Sequence, residues 1–330
     1  MDFCINQSNT PLGKTKTCNH FNRSFNKGVK VIGVGGAGIN IVNTMIDSGI
    51  RNVDFAVVDT DVQKLNISNA SQKTAIGQNI TGGLSAGGIP YTGEQAAESD
   101  NNAIRELITG AGIVVIVAGM SGGTGTGAAP VIAKIAREND SLVVTAVTMP
   151  FGFEGSARMR IANEGIEKLR ENVDSLVIIQ NEYIKIANEE RTLNFVQSLG
   201  FANNIPCQIV QILSELVNTP RRKGILNQYI RNSGDTFFAV GIGTGENRVK
   251  NAVQNAVSNV MLKPNGVAGA SRILIGIKLR GSLSVKERKK IIKIVKMYAG
   301  SKVPVCSIVY DSGNMDNSLS VSVFATGYSK

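Results

Sequence analysis

Several residue types are scarce in this chain, and each scarcity excludes a class of protein. The 330 residues include no tryptophan, 1 histidine and 8 prolines. The 4 cysteines form no CxxC pair and, with His20 as the single histidine, they cannot build a typical zinc site. We therefore expect free thiols in a reducing compartment and no zinc module.

Long apolar runs are also absent from the sequence. No run of about 18 or more apolar residues occurs, and the N-terminus has no basic segment followed by an apolar one. We therefore expect no stable membrane insertion and a cytoplasmic location, with the stroma of an organelle as the alternative. The chain is 42% hydrophobic and can bury a sizeable core, while its 36 glycines follow no three-residue period, which excludes a collagen-like chain.

The charge is the first unusual feature, because a net charge of +10 is spread unevenly. Residues 31–200 carry 12 basic and 18 acidic side chains, whereas residues 201–330 carry 18 basic and 6 acidic ones. Such asymmetry is typical of contact with nucleic acid, with an anionic membrane, or between the unlike halves of two copies. The sequence alone leaves these alternatives open, although the motifs below favour contact between copies over nucleic acid.

Hydrophobic patterning predicts a division of the chain into two domains joined by a helix. Residues 1–28 have no apolar periodicity and are predicted to be a disordered extension. In residues 29–191, short apolar runs alternate with amphipathic stretches, which predicts a doubly wound, Rossmann-like α/β domain with a parallel sheet. A connector helix is expected at 192–219, with Pro206 as a start, break or kink, and a smaller α+β domain at 220–330.

The predicted elements follow the apolar runs. The strands of the first domain are expected at 29–35, 53–61, 113–120, 141–150 and 174–183. Its helices are expected at 40–48, 94–108, 128–138 and 156–171. The second domain is expected to have strands at 237–243, 271–279, 304–311 and 319–328, with one helix opened by a capping box from Ser284 to Glu287.

Two glycine-rich loops stand between a predicted strand and a predicted helix. Gly33–Gly38 fits the pattern G-x-G-x-x-G, with Asp54 and Asp59 at about the distance of a ribose-binding acid. That motif alone is weak and also fits a purely structural turn. Gly119–Gly127, with five glycines and two threonines, is more specific, because such a loop can wrap a polyphosphate with amides and hydroxyls. No P-loop motif occurs, so the phosphates are expected to be neutralised by amides and a metal rather than by a loop lysine.

The second loop, GMSGGTGTGAAP, resembles the signature loop of the tubulin/FtsZ superfamily of GTP-binding cytoskeletal proteins. The stretches GVGGAGINIVN, DTDVQKL and PFGFEGSARM occur in the order and spacing of the FtsZ family. The resemblance implies the tubulin/FtsZ fold, with 29–191 as the GTP-binding domain, and GTP or GDP as ligand with Mg²⁺. It also implies a head-to-tail homopolymer, with a second FtsZ homologue as a further partner, acting in cell or organelle division.

The resemblance also implies a set of nucleotide-binding residues. Gly35, Gly36 and Asn40 would lie against the nucleotide, with Asn40 near the guanine, while Ala86 and Gly87 would sense the γ-phosphate. The phosphates would be cradled by Gly122, Gly123, Thr124, Gly125, Thr126 and Gly127.

The remaining implied residues lie further along the chain. Glu154 and Asn181 would approach the ribose, Arg158 the phosphate end, and Asn203 the guanine edge. Arg158 could instead be a solvated charge, and Asn203 could merely decorate the connector. Three residues depart from the family pattern: Ser121 replaces a glycine, Gly82 replaces a basic residue, and Leu199 replaces the aromatic residue that stacks on guanine.

The family's catalytic loop is altered in this sequence. The family pattern N-x-D-F-A-D-V supplies two carboxylates to the nucleotide of the next subunit, but Gly224 and Asn227 fall at those positions. No acid occurs between Glu215 and Asp235. We therefore predict no catalytic residue and a slow or lost hydrolysis, unless Asp235 takes over.

A basic segment replaces the acids, and several functions remain open. Arg221, Arg222 and Lys223 either clamp the neighbour's GTP or form a solvated turn. The alternatives to a slow filament protein are an active GTPase with substituted catalytic residues and a non-polymerising or co-assembling regulator of a true FtsZ. A Rossmann-type oxidoreductase is disfavoured, because it leaves the second glycine loop unexplained.

Overall fold

The computed structural model describes residues 28–182, 195–217, 222–258, 266–311 and 318–328. The predicted disordered extension, apart from Gly28, lies outside the described residues, as do Leu199's side chain and Arg221.

A seven-stranded parallel sheet forms the first domain, with strand order β3-β2-β1-β4-β5-β6-β7. The strands are β1 Val29–Val34, β2 Val53–Asp59, β3 Gln72–Ala75, β4 Ile113–Gly119, β5 Leu142–Thr148, β6 Ser175–Ile179 and β7 Gly234–Asp235. Valine and isoleucine dominate β1, β4 and β5, and both faces of these strands are buried. Near-continuous apolar strands are typical of a parallel sheet covered on both sides.

Helices cover both faces of this sheet. They are α1 Gly35–Asp47, α2 Val62–Asn66, α3 Gln78–Thr81, α4 Pro90–Ser99, α5 Asn101–Ile108, α6 Gly123–Glu138 and α7 Ser156–Arg170. One core includes Val31 and Val115 with α1, and the core on the opposite face includes Ile32 and Ile116 with α4 to α7. The predicted doubly wound α/β domain is confirmed.

The connector is one continuous helix, α8 Phe195–Val217, and Pro206 lies inside it. Ile209 and Leu213 of α8 are buried in the same core as Val115 of the first sheet and Phe324 of the second domain. The connector therefore packs against both domains through one shared core.

The second domain is built on a four-stranded sheet of order β10-β9-β11-β8. Its elements are α9 Arg222–Tyr229, β8 Phe237–Gly243, α10 Arg248–Val257, β9 Arg272–Leu279, α11 Val285–Ala299, β10 Val305–Asp311 and β11 Leu319–Thr326. β11 pairs antiparallel with both β8 and β9, whereas β9 and β10 are parallel. α10 and α11 pack on one face, so the predicted α+β architecture is confirmed.

The chain passes from the first sheet to the second within a few residues. β7 pairs with Ser175 and Leu176 of β6, and β8 begins directly after Thr236. The hydroxyls of Thr236 and Ser175 are hydrogen-bonded at 2.7 Å. Residues beyond the predicted boundary at 219 thus contribute a strand to the first sheet.

Several element boundaries were predicted wrongly. α1 begins at Gly35 and α6 at Gly123, about one turn before the predicted starts, because the ends of both glycine loops fold as helix. The predicted helix 94–108 is two helices separated at Asp100, whose carboxylate accepts the amide of Gly77 at 2.6 Å. The second domain contains α9 and α10 in addition to the predicted helix.

Among the helices of the described ranges, none combines the length and the apolar character that crossing a membrane requires.

Candidate functional site

The two glycine loops meet at the carboxyl ends of β1 and β4. Because these strands are parallel neighbours, the helices that follow them, α1 and α6, begin side by side. Gly35 has φ +73°, and a Cβ there would lie 2.9 Å from the amide nitrogen of Gly125. The positive ends of two helix dipoles therefore converge on one point, which favours a bound anion.

A cavity of about 380 Å³ opens at this point, within the size range of about 300–1,000 Å³ that is usual for small-ligand sites. Nine residues of the predicted nucleotide set line it. They are Gly35, Gly36, Gly122, Gly123, Thr124, Gly125, Glu154, Arg158 and Asn181. The structure thus brings together residues from four separate segments of the sequence.

The buried carboxylate of Asp59 is hydrogen-bonded to the second glycine loop. Asp59, at the end of β2, is 1% exposed, and its Oδ1 accepts the hydroxyl of Thr124 at 2.9 Å and the amide of Thr60 at 2.8 Å. The hydroxyls of Thr60 and Thr124 are 3.1 Å apart. The second oxygen, Oδ2, is buried with no hydrogen-bond partner among the described residues. This network fixes the side chain of Thr124 beside the cavity.

Asn181 carries a second unpartnered oxygen at the cavity wall. Its side chain is 5% exposed, and Oδ1 has no hydrogen-bond partner within the described ranges. Leaving a buried amide oxygen unpaired is costly, so such an atom is expected to meet a ligand or water. The position fits a hydroxyl donor such as that of a ribose.

Glu154 and Arg158 form an ion pair at the rim. Arg158 donates to Glu154 Oε2, and Glu154 Oε1 accepts the amide of Phe151 at 2.9 Å. The Arg158 side chain is 58% exposed and the Glu154 side chain 22%. Both residues line the cavity, and an ion pair with so exposed a partner contributes little to stability.

Thr126 and Gly127 of the predicted set hold α6 in place and do not line the cavity. The Thr126 hydroxyl accepts the amide of Ser121 at 2.8 Å. A Cβ at Gly127 would collide with the carbonyl oxygen of Pro90 in α4. Thr126 and Gly127 therefore help to fix the conformation of the second glycine loop.

Four other predicted residues lie outside the cavity lining. Asn40 is exposed on α1, and Asn203 is half-buried on α8, where its carbonyl accepts the thiol of Cys207 at 3.1 Å. Ala86 packs beside Gly123, while Gly87 is exposed with φ +64°. Their neighbours Ser85 and Gly88 do line the cavity, and the roles of all four residues stay predictions.

Lys64 was missed by the sequence analysis. This residue of α2 lines the cavity near Gly36, and its ammonium is 3.4 Å from the carboxylate of Asp61. Lys64 belongs to α2 and not to a glycine loop, so the expectation that no loop lysine neutralises the phosphates stays a prediction. Lys64 follows the carboxyl end of β2, the strand next to β1. This position in the sequence could have identified it as a residue of the cavity.

The described part of the segment predicted to replace the catalytic loop, α9, leads to the amino ends of the strands of the first sheet. After α9, the amides of Asn232 and Ser233 donate to Asp174, which directly precedes β6. The cavity lies at the carboxyl ends of the same parallel strands. The cavity and the residues that follow α9 therefore lie at opposite strand ends of the first sheet.

The side chains of this segment are described from Lys223 onward. Lys223 and Gly224 are exposed, and Asn227 Oδ1 accepts from Arg231 Nε at 3.2 Å. Asp235 is held in β7 by Arg170, with Nε–Oδ1 and Nη2–Oδ2 distances of 2.9 and 3.1 Å. The hydrogen bonds to Asp235 raise the pKa of Arg170 above its usual value. Asp235 is thus committed to an ion pair within its own chain.

One cavity beside the parallel sheet is surrounded by two helix N-termini, a threonine–aspartate network and an unpartnered amide. These features are typical of a nucleotide-binding α/β protein. Residues 28–188 match the model of the Tubulin/FtsZ family, GTPase domain, and residues 234–329 match that of the FtsZ family, C-terminal domain. The chain belongs to the Tubulin/FtsZ family, as its motifs predicted.

Solved structures agree with this assignment. An empty FtsZ dimer from M. jannaschii has a TM-score of 0.85 and 30% identity, covering 91% of this chain and 88% of that one. A mutant FtsZ from the same organism gives 0.84 and 30%, covering 92% and 91%. The GTPγS-bound protofilament of CetZ2 from Haloferax volcanii gives 0.79 and 21%, covering 92% and 94%, which shows a shared fold.

Proposed function

We propose that this protein is a GTP-binding filament subunit that assembles head to tail in the cytoplasm, acts in cell or organelle division, and hydrolyses GTP slowly or not at all. The observation that carries the proposal is the meeting of the N-termini of α1 and α6 at a cavity with the unpartnered oxygen of Asn181 in its wall. The helix ends suit phosphate, and Asn181 suits ribose.

The donor set fits a nucleoside triphosphate and its metal. The amides of Gly122 to Gly125 and the ammonium of Lys64 would bind phosphate oxygens. Asp59 and Thr124 offer the oxygen ligands that Mg²⁺ prefers. When bound, Mg²⁺ would add positive charge beside the phosphates. Within the described ranges, no three His, Cys, Asp or Glu residues lie close enough to hold a metal by themselves, so the nucleotide would carry part of the coordination.

Head-to-tail assembly is supported by the different features that lie at the two strand ends of the first sheet. The cavity lies at the carboxyl ends of the strands, and the residues that directly follow α9 lie at their amino ends. Two copies stacked in the same orientation would bring the segment of one copy over the cavity of the next. The basic second half, with 18 Lys and Arg against 6 Asp and Glu, would then face the more acidic first half.

Slow hydrolysis is supported by the chemistry of the segment that would cover the cavity. Asn227 is an amide bonded to Arg231, and Gly224 has no side chain. Neither residue can accept a proton from an attacking water. Asp235, which was the alternative, is paired with Arg170. Losing a group that positions water or stabilises charge commonly lowers a rate by about 10²–10⁵-fold.

One experiment tests assembly and hydrolysis together. The purified protein is incubated with GTP and Mg²⁺ and sedimented, and the nucleotide in the pellet is identified by chromatography. We expect a pellet that contains mostly GTP. Mostly GDP would reveal a catalytic group and refute slow hydrolysis, whereas GTP bound without a pellet would favour the non-polymerising regulator.

A further inference from the structure

Ser121 has an unusual backbone conformation for its residue type. In the described part of the chain, the non-glycine residues with positive φ are Asn52, Ser121, Asp140 and Asn232. Asparagine and aspartate tolerate this region through local hydrogen bonds, but serine rarely adopts it. Ser121, with φ +90°, is therefore the strained member of the group.

The strain is located in the wall of the nucleotide cavity. Ser121 lies between β4 and α6, and its amide donates to Thr126 Oγ1 at 2.8 Å, which holds the backbone in place. The Ser121 hydroxyl makes no hydrogen bond to any residue that the structure describes. A Cβ at the next residue, Gly122, would meet no atom within 4 Å, so the space above this part of the loop is open.

A glycine at position 121 would have no conformational cost, and the family pattern has glycine there. Residues in sparsely populated backbone regions concentrate where the strain serves binding. A serine hydroxyl can donate one hydrogen bond, and a bond to an anionic oxygen is stronger than one to a neutral acceptor. The nearby Asn181 oxygen, buried and unpartnered, shows independently that this cavity is built for a polar ligand.

We propose that Ser121 is an additional phosphate-binding residue, whose hydroxyl donates to a phosphate oxygen of the nucleotide and compensates for a strained backbone. The inference rests on the proposed GTP-binding function. It makes one residue responsible for two opposite effects: Ser121 lowers the stability of the protein without nucleotide, and it raises the affinity for nucleotide.

Two substitutions separate these effects. Ser121→Gly removes both the strain and the hydroxyl, whereas Ser121→Ala removes the hydroxyl and keeps the strain. We expect Ser121→Gly to raise the midpoint of thermal unfolding without nucleotide by about 2 °C and Ser121→Ala to leave it unchanged. Both variants should bind GTP about tenfold more weakly in isothermal titration with Mg²⁺, because each loses a bond to a charged oxygen.

The alanine variant and a control at a second positive-φ residue keep the test specific. Asn52→Gly changes a residue in the turn before β2, outside the cavity lining, and should leave the GTP affinity unaltered. Ser121→Ala excludes a loosened glycine backbone as the cause of weaker binding.

Unchanged GTP affinity in both Ser121 variants, beside normal binding by the unaltered protein, would overturn the role of Ser121 and leave the proposed function standing. Failure of the unaltered protein to bind GTP would refute the proposed function, and the inference with it.

Discussion

Thr124 shows how a single hydroxyl links the fold to the site. It donates to the buried carboxylate of Asp59 at 2.9 Å and lies in the first turn of α6, beside the cavity. A hydrogen bond to a charged, buried acceptor contributes more to stability than one between neutral groups. The residue should therefore affect both the free energy of unfolding and nucleotide binding.

We expect Thr124→Val, which keeps the side-chain shape, to lower the free energy of unfolding by about 2 kcal/mol, because Asp59 loses a donor. Urea unfolding measures this change. Thr145→Val is a matched control, since Thr145 is equally buried and its hydroxyl has no partner among the described residues. A loss as large in the control as in Thr124→Val would contradict the role given to the Asp59 bond.

Lys64 supports a second prediction at the scale of a residue. Its ammonium lies at the cavity near the start of α1, where it would add positive charge beside the phosphates of a bound nucleotide. Lys64→Gln should weaken GTP binding about fivefold at low salt, and the difference should shrink at high salt as the charges are screened.

Lys73→Gln is the control for charge alone. Lys73 is exposed on β3 and donates to the carbonyl of Asn66 at 3.3 Å. GTP is titrated into both variants. Equal GTP affinities of the two variants would show that Lys64 acts only through the general charge of the protein.

The glycine loops and their ligand class could be predicted at this scale, but the roles of Asp59 and Lys64 could not. Gly119–Gly127 has a spacing that suits phosphate. Asp59 was considered as a ribose-binding acid, whereas its Oδ1 bonds to Thr124, 65 residues away. Such a contact depends on which strands become neighbours in the sheet, and no local sequence pattern predicts it.

At the scale of elements, α11 begins as the sequence predicts. The Ser284 hydroxyl accepts the amide of Glu287 at 3.2 Å, and Glu287 accepts the amide of Ser284 at 3.0 Å. Glu287 also accepts from Arg248 of α10 at 2.8 Å. The capping box thus joins two helices of the second domain, a connection that the capping pattern alone does not predict.

This arrangement predicts a pH dependence of stability. The hydrogen bond from Arg248 lowers the pKa of Glu287 below its usual value. A lowered folded-state pKa means that the carboxylate stabilises the fold above its unfolded pKa of about 4.3, and that this stabilisation is lost as the pH falls through the folded pKa. Urea unfolding should show Glu287→Gln less stable than the unaltered protein at pH 7, with a difference that shrinks as the pH falls below about 4.3.

Glu164→Gln is the control for removing an acidic residue. Glu164 pairs with Arg160 at 3.0 Å, and both side chains are more than half exposed, so the pair contributes little. A pH profile shared by the two variants would mean that Glu287 has no special role.

Element boundaries were harder to predict than element types. The first turn of α6 consists of glycine and threonine, which are poor helix formers. Tertiary contacts override that preference, since Gly123 and Gly127 pack against the segment that includes Pro90 of α4. α10 was missed because its buried stripe, Val249, Ala252, Val253, Ala256 and Val257, is formed by small side chains between polar residues.

At the scale of the whole molecule, the uneven charge yields a prediction about assembly. Arg221 and Arg222, which shortly precede the two positions where the family has acids, would face the nucleotide of the next copy in a head-to-tail filament. Changing both to Ala should weaken GTP-dependent sedimentation and reduce its sensitivity to salt, because charge-assisted contacts are lost.

The double variant Lys289→Ala, Lys302→Ala controls for the loss of two positive charges, since both side chains are exposed, in α11 and in the turn after it. Sedimentation of the Arg221→Ala, Arg222→Ala variant equal to that of the unaltered protein at every salt concentration would exclude the clamp.

The link between the two sheets has a further consequence for dividing the chain. β7 covers the start of β6, but it is supplied by residues 234–235, beyond the connector. A fragment that stops at Thr219 would lose β7, and the start of β6, at Ser175 and Leu176, would become an edge with unpaired backbone groups. Such edges recruit strands from other molecules. The strand β7, at the junction between the domains, therefore also protects the first domain from aggregation.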